Sequence, residues 1–512
     1  MVTDPRLQGP AGGRAVMKGE TPRVAAWVAT AGVGAVWALL GTRSLWFDEL
    51  YALHAAGLPW RELMTFLRLH DAHPPLYPLL LKAWVHLFGS SELSLRAPSA
   101  LAGVAAAWGA WALARNGCGT TAAAVASLTL ASSPLFLEAA ADATRYALLA
   151  CGFVWAGYET LRVLQEPGRG LWRLVLIGAA LLYTHYLGSV LASSLLAFAA
   201  WQGGWRGLRR VAGALAGSLL FFAPWLPVLW FHMTSGRMAP PWRPAATPSL
   251  VLDVLHVGGF GGRVMGTASY HLASSAPLGV KVLLAAPVAL VLALAAVRAC
   301  RTCPEAARLA VCCVVLPALV LGGASAWSGR TVSYPRYFSF SVPYLALLVG
   351  AALEARCPSA GSAAPRVVAG LWVLVVALAL WSLGEWAARP AAGAGDRKSL
   401  AAVLKPRLRA GDSVLVYPQW EFLGLDYYLP QLRGQYVVLP SVWEPAVPER
   451  IARTVREEAQ RSARVWVVQA NPMAPAHFEA LYRRLSHTHR VSLFWEFDGV
   501  RLTLFVRRPG TR

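Results

Sequence analysis

Apolar runs about as long as a bilayer is thick recur along this 512-residue chain, at 24–40, 278–297 and 367–381 among others. A helix crosses the hydrocarbon core in roughly 20 residues, so such runs confine most of the chain to a multi-span membrane fold. Composition agrees: 14% of residues are charged, where ordinary soluble domains carry about 25%. Taken in order, the runs predict about eleven spans. They lie near 24–41, 97–114, 119–137, 146–163, 170–184, 187–201, 211–231, 278–297, 309–326, 336–354 and 366–385. The turn between the fifth and sixth has only 183–187 in which to reverse.

The net charge of +21 would suggest nucleic acid in a soluble protein. Here the arginines sit in short loops, at 115, 162–173, 206–210, 298–308 and 356–366, and no polar domain interleaves basic and aromatic residues. That is the positive-inside pattern, with membrane lipid and not nucleic acid as the partner. It puts residues 1–23 in the cytoplasm as a tail before an uncleaved first span, and the C-terminus on the far side. Seven cysteines, three of them inside spans, form no disulfide framework. Cys300 and Cys303 make a lone CxxC, short of the four ligands of a structural zinc site.

Three far-side segments are too polar to be connectors. They are 42–96 and 232–277, the latter with His256 and His271, and the terminal stretch 390–512. In the last, 413–417, 436–439 and 465–469 read as short buried strands alternating with helices at 449–462 and 476–485. Segments 491–497 and 500–506 read as a hairpin around Asp498-Gly499. The expected organisation is a transmembrane region, 24–389, followed by an extracytoplasmic α/β domain.

The first polar loop opens with Asp48 and Glu49 just after a span. A carboxylate at a low-dielectric boundary is pushed toward the range of a general base. The plainer alternative is that both simply favour a helix N-terminus. Further on, His70, Asp71 and His73 precede Pro74 and Pro75. They could hold a metal or phosphate, but on the residues alone a polar turn is the better reading.

The strings SLWFDE and HPPLYPLLLKAWVHLFGSSELSLRAPSALAG resemble bacterial membrane glycosyltransferases of the GT-C class. Within it they resemble the group related to protein O-mannosyltransferases and lipid A aminoarabinose transferases. The stretch EAAADATRYAL from Glu138, the YTHY at 183–186 and the YPRY at 334–337 fit the same group. The resemblance is strongest over 43–150. One departure stands out: relatives carry an arginine two residues before the tyrosine, whereas Arg145 directly precedes Tyr146.

The resemblance implies a sugar on a polyprenyl phosphate as donor, at the outer face of the bacterial cytoplasmic membrane, and an envelope acceptor (lipid, polysaccharide or protein). It implies Asp48 as the base, with Glu49 orienting the acceptor or holding a divalent ion, and Asp142 acting beside them. Catalytic loops would be 42–96, 138–145 and 232–277. Arg336, Arg330, Arg43 and His73 would hold the donor phosphate, and Arg145, Tyr146 and His185 would line the acceptor side. A divalent metal is compatible but not demanded. The competing readings are a transporter or flippase for polyprenyl-linked sugars and a non-catalytic scaffold. The first would predict inverted repeats, and none is visible in the sequence.

Overall fold

The computed structural model describes residues 21–166, 170–236, 245–247, 251–252, 254–255, 277–332, 334–354, 364–388, 395–440, 447–470 and 475–510. Most of the 232–277 loop, with His256 and His271, therefore lies outside the described residues.

Helix α1 (Thr21–Leu40) leads into three short helices, α2 (Phe47–Gly57), α3 (Trp60–Leu69) and α4 (Leu76–Phe88). The bundle continues through α5 (Glu92–Gly117), α6 (Thr120–Ser132), α7 (Pro134–Ala141), α8 (Tyr146–Gln165), α9 (Leu171–Thr184), α10 (Leu187–Phe222) and α11 (Leu226–Thr234). After the second polar loop come α12 (Leu278–Thr302), α13 (Pro304–Ser328), a 3-10 turn (Pro335–Ser341) running into α14 (Val342–Leu353), and α15 (Ala364–Ala388).

Seven helical stretches among the described residues are long and apolar enough to cross a membrane, or eight when α6 and α7, bent by 65°, count as one. Arg23–Leu39 and Leu171–Thr184 are shorter apolar helices. The runs expected at 187–201 and 211–231 fall in one 48-residue helical stretch, Leu187–Thr234. At 1.5 Å per residue that is about 72 Å, too long for one crossing, and Gly204 (φ 54°) breaks it. Expected and observed counts differ because length and composition alone do not divide such a stretch.

Small residues let the helices close up, as expected where packing rather than water drives association. A Cβ on Gly350 of α14 would lie 2.5 Å from the Ala122 carbonyl oxygen of α6. Capping explains the breaks. Ser133 ends α6 and caps α7, accepting from the Phe136 N–H, while Pro134 starts α7 without losing a needed donor. The Tyr183–Leu187 turn is as tight as expected: His185 is extended and its Nδ1 accepts from the Leu187 N–H at 3.0 Å.

The terminal region begins with α16 (Arg397–Leu404), capped by Asp396. It then builds a five-stranded sheet ordered β2-β1-β3-β5-β4. The strands are β1 (Ser413–Tyr417), β2 (Val437–Val438), β3 (Arg464–Ala470), β4 (His489–Phe497) and β5 (Val500–Arg507). Helix α17 (Phe422–Tyr428) covers one face; α18 (Val447–Arg461) and α19 (Pro475–Ser486) cover the other. Strands β1, β2 and β3 are parallel, and β4–β5 is the expected hairpin, with Asp498 and Gly499 both at positive φ.

Helices α2 to α4 lie where this sheet region meets the bundle. Lys82 of α4 donates to the Ala56 and Leu58 carbonyls at 3.1 and 2.5 Å, satisfying the C-terminal end of α2. Leu423 of α17 shares a core with Leu45, Leu50, Tyr77 and Leu95.

Candidate active site

Asp48 and Glu49 sit in the first turn of α2, and neighbouring positions on a helix face different ways. Glu49 turns inward and is fully buried. Its Oε1 accepts from Arg96 Nε at 2.7 Å and the Ala143 N–H at 2.9 Å; its Oε2 accepts from Arg96 Nη2 at 2.7 Å and the Trp46 N–H at 3.2 Å. Arg96 also donates to the carbonyls of Gly41, Arg43 and Ser44 at 3.0–3.2 Å. The pair thus ties three segments together: the entry to α2, the start of α5, and the 142–145 connection.

Glu49 is therefore not the acceptor-orienting or metal-holding group expected from the sequence. Its lone pairs are filled by four backbone and guanidinium donors. A divalent cation does not fit this donor set, and no group of three or more His, Cys, Asp or Glu side chains among the described residues could hold one. Glu138 also moves out of its expected loop, since α7 runs through it to Ala141.

Asp48 turns the other way, half-buried, and its Oδ2 accepts from Arg336 Nη1 at 2.8 Å. Arg336 projects from the 3-10 turn before α14. Its guanidinium carbon lies 5.5–5.9 Å from the ring centroids of Trp46, Tyr146, Tyr334 and Tyr337. Such a cage fixes a cation by cation–π attraction while leaving its edge N–H groups for an anion. The Arg336 Nε–H is buried with no hydrogen-bond partner.

Segment 142–145 supplies the opposite wall. Asp142 is partly buried, and desolvation followed by the nearby carboxylates of Glu49 and Asp48 raises its carboxyl well above the usual range. Arg145 is buried too, its Nε–H without a partner, and the Thr144 hydroxyl beside it is likewise unpartnered. Ser99 holds this backbone by donating to the Thr144 carbonyl at 3.0 Å.

Asp71 and His73 close the site. Their side chains meet at 2.6 Å, Nδ1 to Oδ1, and the Ala72 N–H donates to the same carboxylate. Burial pushes Asp71 up, but His73 and Arg145 outweigh it and hold the carboxyl below its ordinary value. Burial, then Arg145, holds His73 below the ordinary imidazole value. Near neutral pH, His73 thus donates Nδ1–H to an ionised Asp71, leaving a lone pair on Nε2. Its ring lies 5.3 Å from that of His185, which is 6.1 Å from both Tyr146 and Tyr337.

The fold thus gathers Asp48, Asp142, Arg336, His73, Arg145, Tyr146 and His185 into one cluster, together with Asp71, Trp46 and Tyr334. Arg43 is not part of it. Its guanidinium donates to the Trp386 and Ala387 carbonyls at the end of α15 and stacks on Trp386. Arg330 lies on an exposed turn, its backbone bridged to Ala245. Sequence reasoning passed over Arg96, although an arginine entering an apolar span is a signal in itself.

A carboxylate beside a partly buried arginine, with a second, buried arginine close by and an unfilled N–H on each, suits contact with a phosphate-bearing group. Residues 72–231 match the family model for dolichyl-phosphate-mannose-protein mannosyltransferases. No curated protein matches the sequence. Among solved structures, ArnT from Cupriavidus metallidurans in the apo state is 15% identical, with a TM-score of 0.60 over 94% of this chain and 98% of that one. The same protein bound to undecaprenyl phosphate is 16% identical, with a TM-score of 0.57 over 95% and 98%. The archaeal oligosaccharyltransferase AglB from Archaeoglobus fulgidus, in complex with an inhibitory peptide and a dolichol-phosphate, is 13% identical, with a TM-score of 0.53 over 97% and 75%. The chain thus has the GT-C fold that these structures share, and its residues 72–231 are similar to the dolichyl-phosphate-mannose-protein mannosyltransferases.

Proposed function

We propose that this protein is an inverting glycosyltransferase that moves a sugar from a polyprenyl phosphate to a hydroxyl of an envelope acceptor, at the extracytoplasmic face of the bacterial cytoplasmic membrane. The observation that carries the reading is the Asp48–Arg336 pair at 2.8 Å, with a second Arg336 N–H buried and unfilled beside it. One contact unites the two groups the chemistry needs. The polyprenyl-phosphate ligands of the ArnT and AglB structures support the carrier class.

The donor phosphate would bind against Arg336 and Arg145, whose unfilled N–H groups are strong donors to an anion. His73 would add a charged hydrogen bond by taking up a proton at Nε2. Asp48 would then accept the acceptor's hydroxyl proton as that oxygen bonds to the anomeric carbon. The bond from that carbon to the phosphate oxygen breaks in the same step, with inversion. The carrier phosphate leaves as an anion already matched by arginine, so no strong general acid is needed. Asp142, with its raised carboxyl, would contact the acceptor side as a hydrogen-bond donor.

The test is to reconstitute the full chain with radiolabelled polyprenyl-phosphate sugars and follow both sugar transfer and lipid movement between leaflets. Transfer or release of the sugar with an inverted anomer supports the reading. Leaflet exchange without any sugar release overturns it in favour of a flippase.

A further inference from the structure

Ser44 and Leu45, which lead into the Trp46 cap of the Asp48 helix, are held by the terminal domain. Ser44 Oγ accepts from the backbone N–H groups of Arg397 and Lys398, at 3.0 and 3.3 Å, so a residue of the first loop sits on the first turn of α16. The Leu45 N–H donates to the Tyr428 hydroxyl of α17 at 2.8 Å. Around them, Lys398 Nζ reaches Glu92 at 2.9 Å and the Thr42 carbonyl at 3.0 Å, and Tyr427 donates to the Ser90 carbonyl at 2.8 Å.

The two points of attachment are themselves joined. Arg397 makes a buried bidentate pair with Glu421, at 2.8 and 2.6 Å, linking the start of α16 to the turn that opens α17. Its side chain crosses Gly424, where a Cβ would lie 2.6 Å from Arg397 Cδ. Phe47 meets Trp420 at 5.8 Å between ring centroids. The grip therefore falls on 44–47, the residues that decide where Asp48 stands relative to Arg336.

We propose that the terminal domain is part of the active site. Through Ser44 and Tyr428 it sets the position of Asp48, and these two act as positioning residues without touching substrate. This rests on the transferase reading above. A base displaced by about 1 Å can cost up to a hundredfold in rate while binding is spared. The carrier-phosphate groups Arg336, Arg145 and His73 stand on other segments, so losing the grip should lower kcat and leave donor KM alone.

The experiment compares full-length wild type, Tyr428→Phe, Ser44→Ala, the double variant and Ser44→Thr in nanodiscs. Steady-state kinetics with a polyprenyl-phosphate sugar are paired with hydrogen exchange of the 44–50 amides. The double variant is expected to lose at least tenfold in kcat at unchanged donor KM, with faster exchange confined to 44–50. Ser44→Thr, which keeps the hydroxyl, is expected to recover most of what Ser44→Ala loses. Wild-type kcat in the double variant, or a fall matched by a rise in donor KM, overturns the proposal. If the double variant does not fold, the two single variants decide on the same readouts. If wild type transfers no sugar from any polyprenyl phosphate, the transferase reading falls. Exchange at 44–50 then decides the grip: faster in the double variant supports it, and wild-type exchange overturns it.

Discussion

Two arginine–carboxylate pairs begin at adjacent residues and end in different work. Glu49 and Arg96 are closed off, their side chains 0% and 5% exposed, and backbone groups from two segments, 41–46 and Ala143, fill their remaining hydrogen-bonding positions. Asp48 and Arg336 are 28% and 18% exposed, share one short contact, and leave a guanidinium N–H unfilled. A saturated pair fixes geometry and has nothing left to offer a ligand. An unsaturated pair stores a donor and an acceptor that a substrate can claim. Sharing a helix turn, the first pair holds the second in place.

The comparison breaks most sharply at Arg96. Arg96→Ala strands a buried carboxylate, expected to cost about 3–5 kcal/mol and to leave little monodisperse protein in detergent. Replacing both members, as Glu49→Gln with Arg96→Met, should recover part of that loss, because no charge is then buried alone. If Arg96→Ala keeps its melting temperature, the pair is not a structural tie.

A smaller effect is expected at the open pair. Arg336→Lys keeps the charge but loses the planar fork that can serve Asp48 and a phosphate together. Donor KM should rise about 10-fold or more, the worth of one charge-assisted hydrogen bond, with little change in stability. An unchanged KM would remove Arg336 from the phosphate site.

The smallest expected effect is in pH dependence. Folded His73 titrates below its ordinary value of about 6.5, so as pH falls past that point the unfolded chain takes up a proton that the folded chain refuses. Stability is then fully present above about 6.5 and declines as pH drops through the window below it. Asp71, also held low, adds a loss of the same sign at more acidic pH, while the raised carboxyl of Asp142 works in the opposite direction. Between pH 7.5 and 5.5, His73→Gln should lose less melting temperature than wild type. Equal losses would mean that His73 is not held neutral.

Much of this was legible in the chain. Apolar runs marked the helices, and a carboxylate pair after the first of them pointed to the candidate site. Short apolar runs between helical stretches and the Asp498-Gly499 turn marked the sheet and its hairpin. What stayed hidden were the partners. Glu49 looked as reactive as Asp48 because nothing local tells which way a helix turns its first residues; Arg96, 47 positions later, decides that. Arg43 looked like a phosphate ligand beside the motif until the fold brought the end of α15 to it. Asp71 and His73 looked like a polar turn because the burial of Asp71 and the approach of His185 to the His73 ring come from the fold and not from the local sequence.

The central claim is that neighbouring carboxylates divide chemistry from architecture, and Asp48→Asn tests it most directly. Turnover with a polyprenyl-phosphate sugar, donor affinity and melting temperature would be measured on one preparation of the variant and of wild type. The account predicts turnover down by about 10²–10⁴-fold, as for loss of a general base, with donor still bound and melting temperature within a few degrees of wild type. Near-wild-type turnover, or a collapse of folding like that expected for Arg96→Ala, would contradict it.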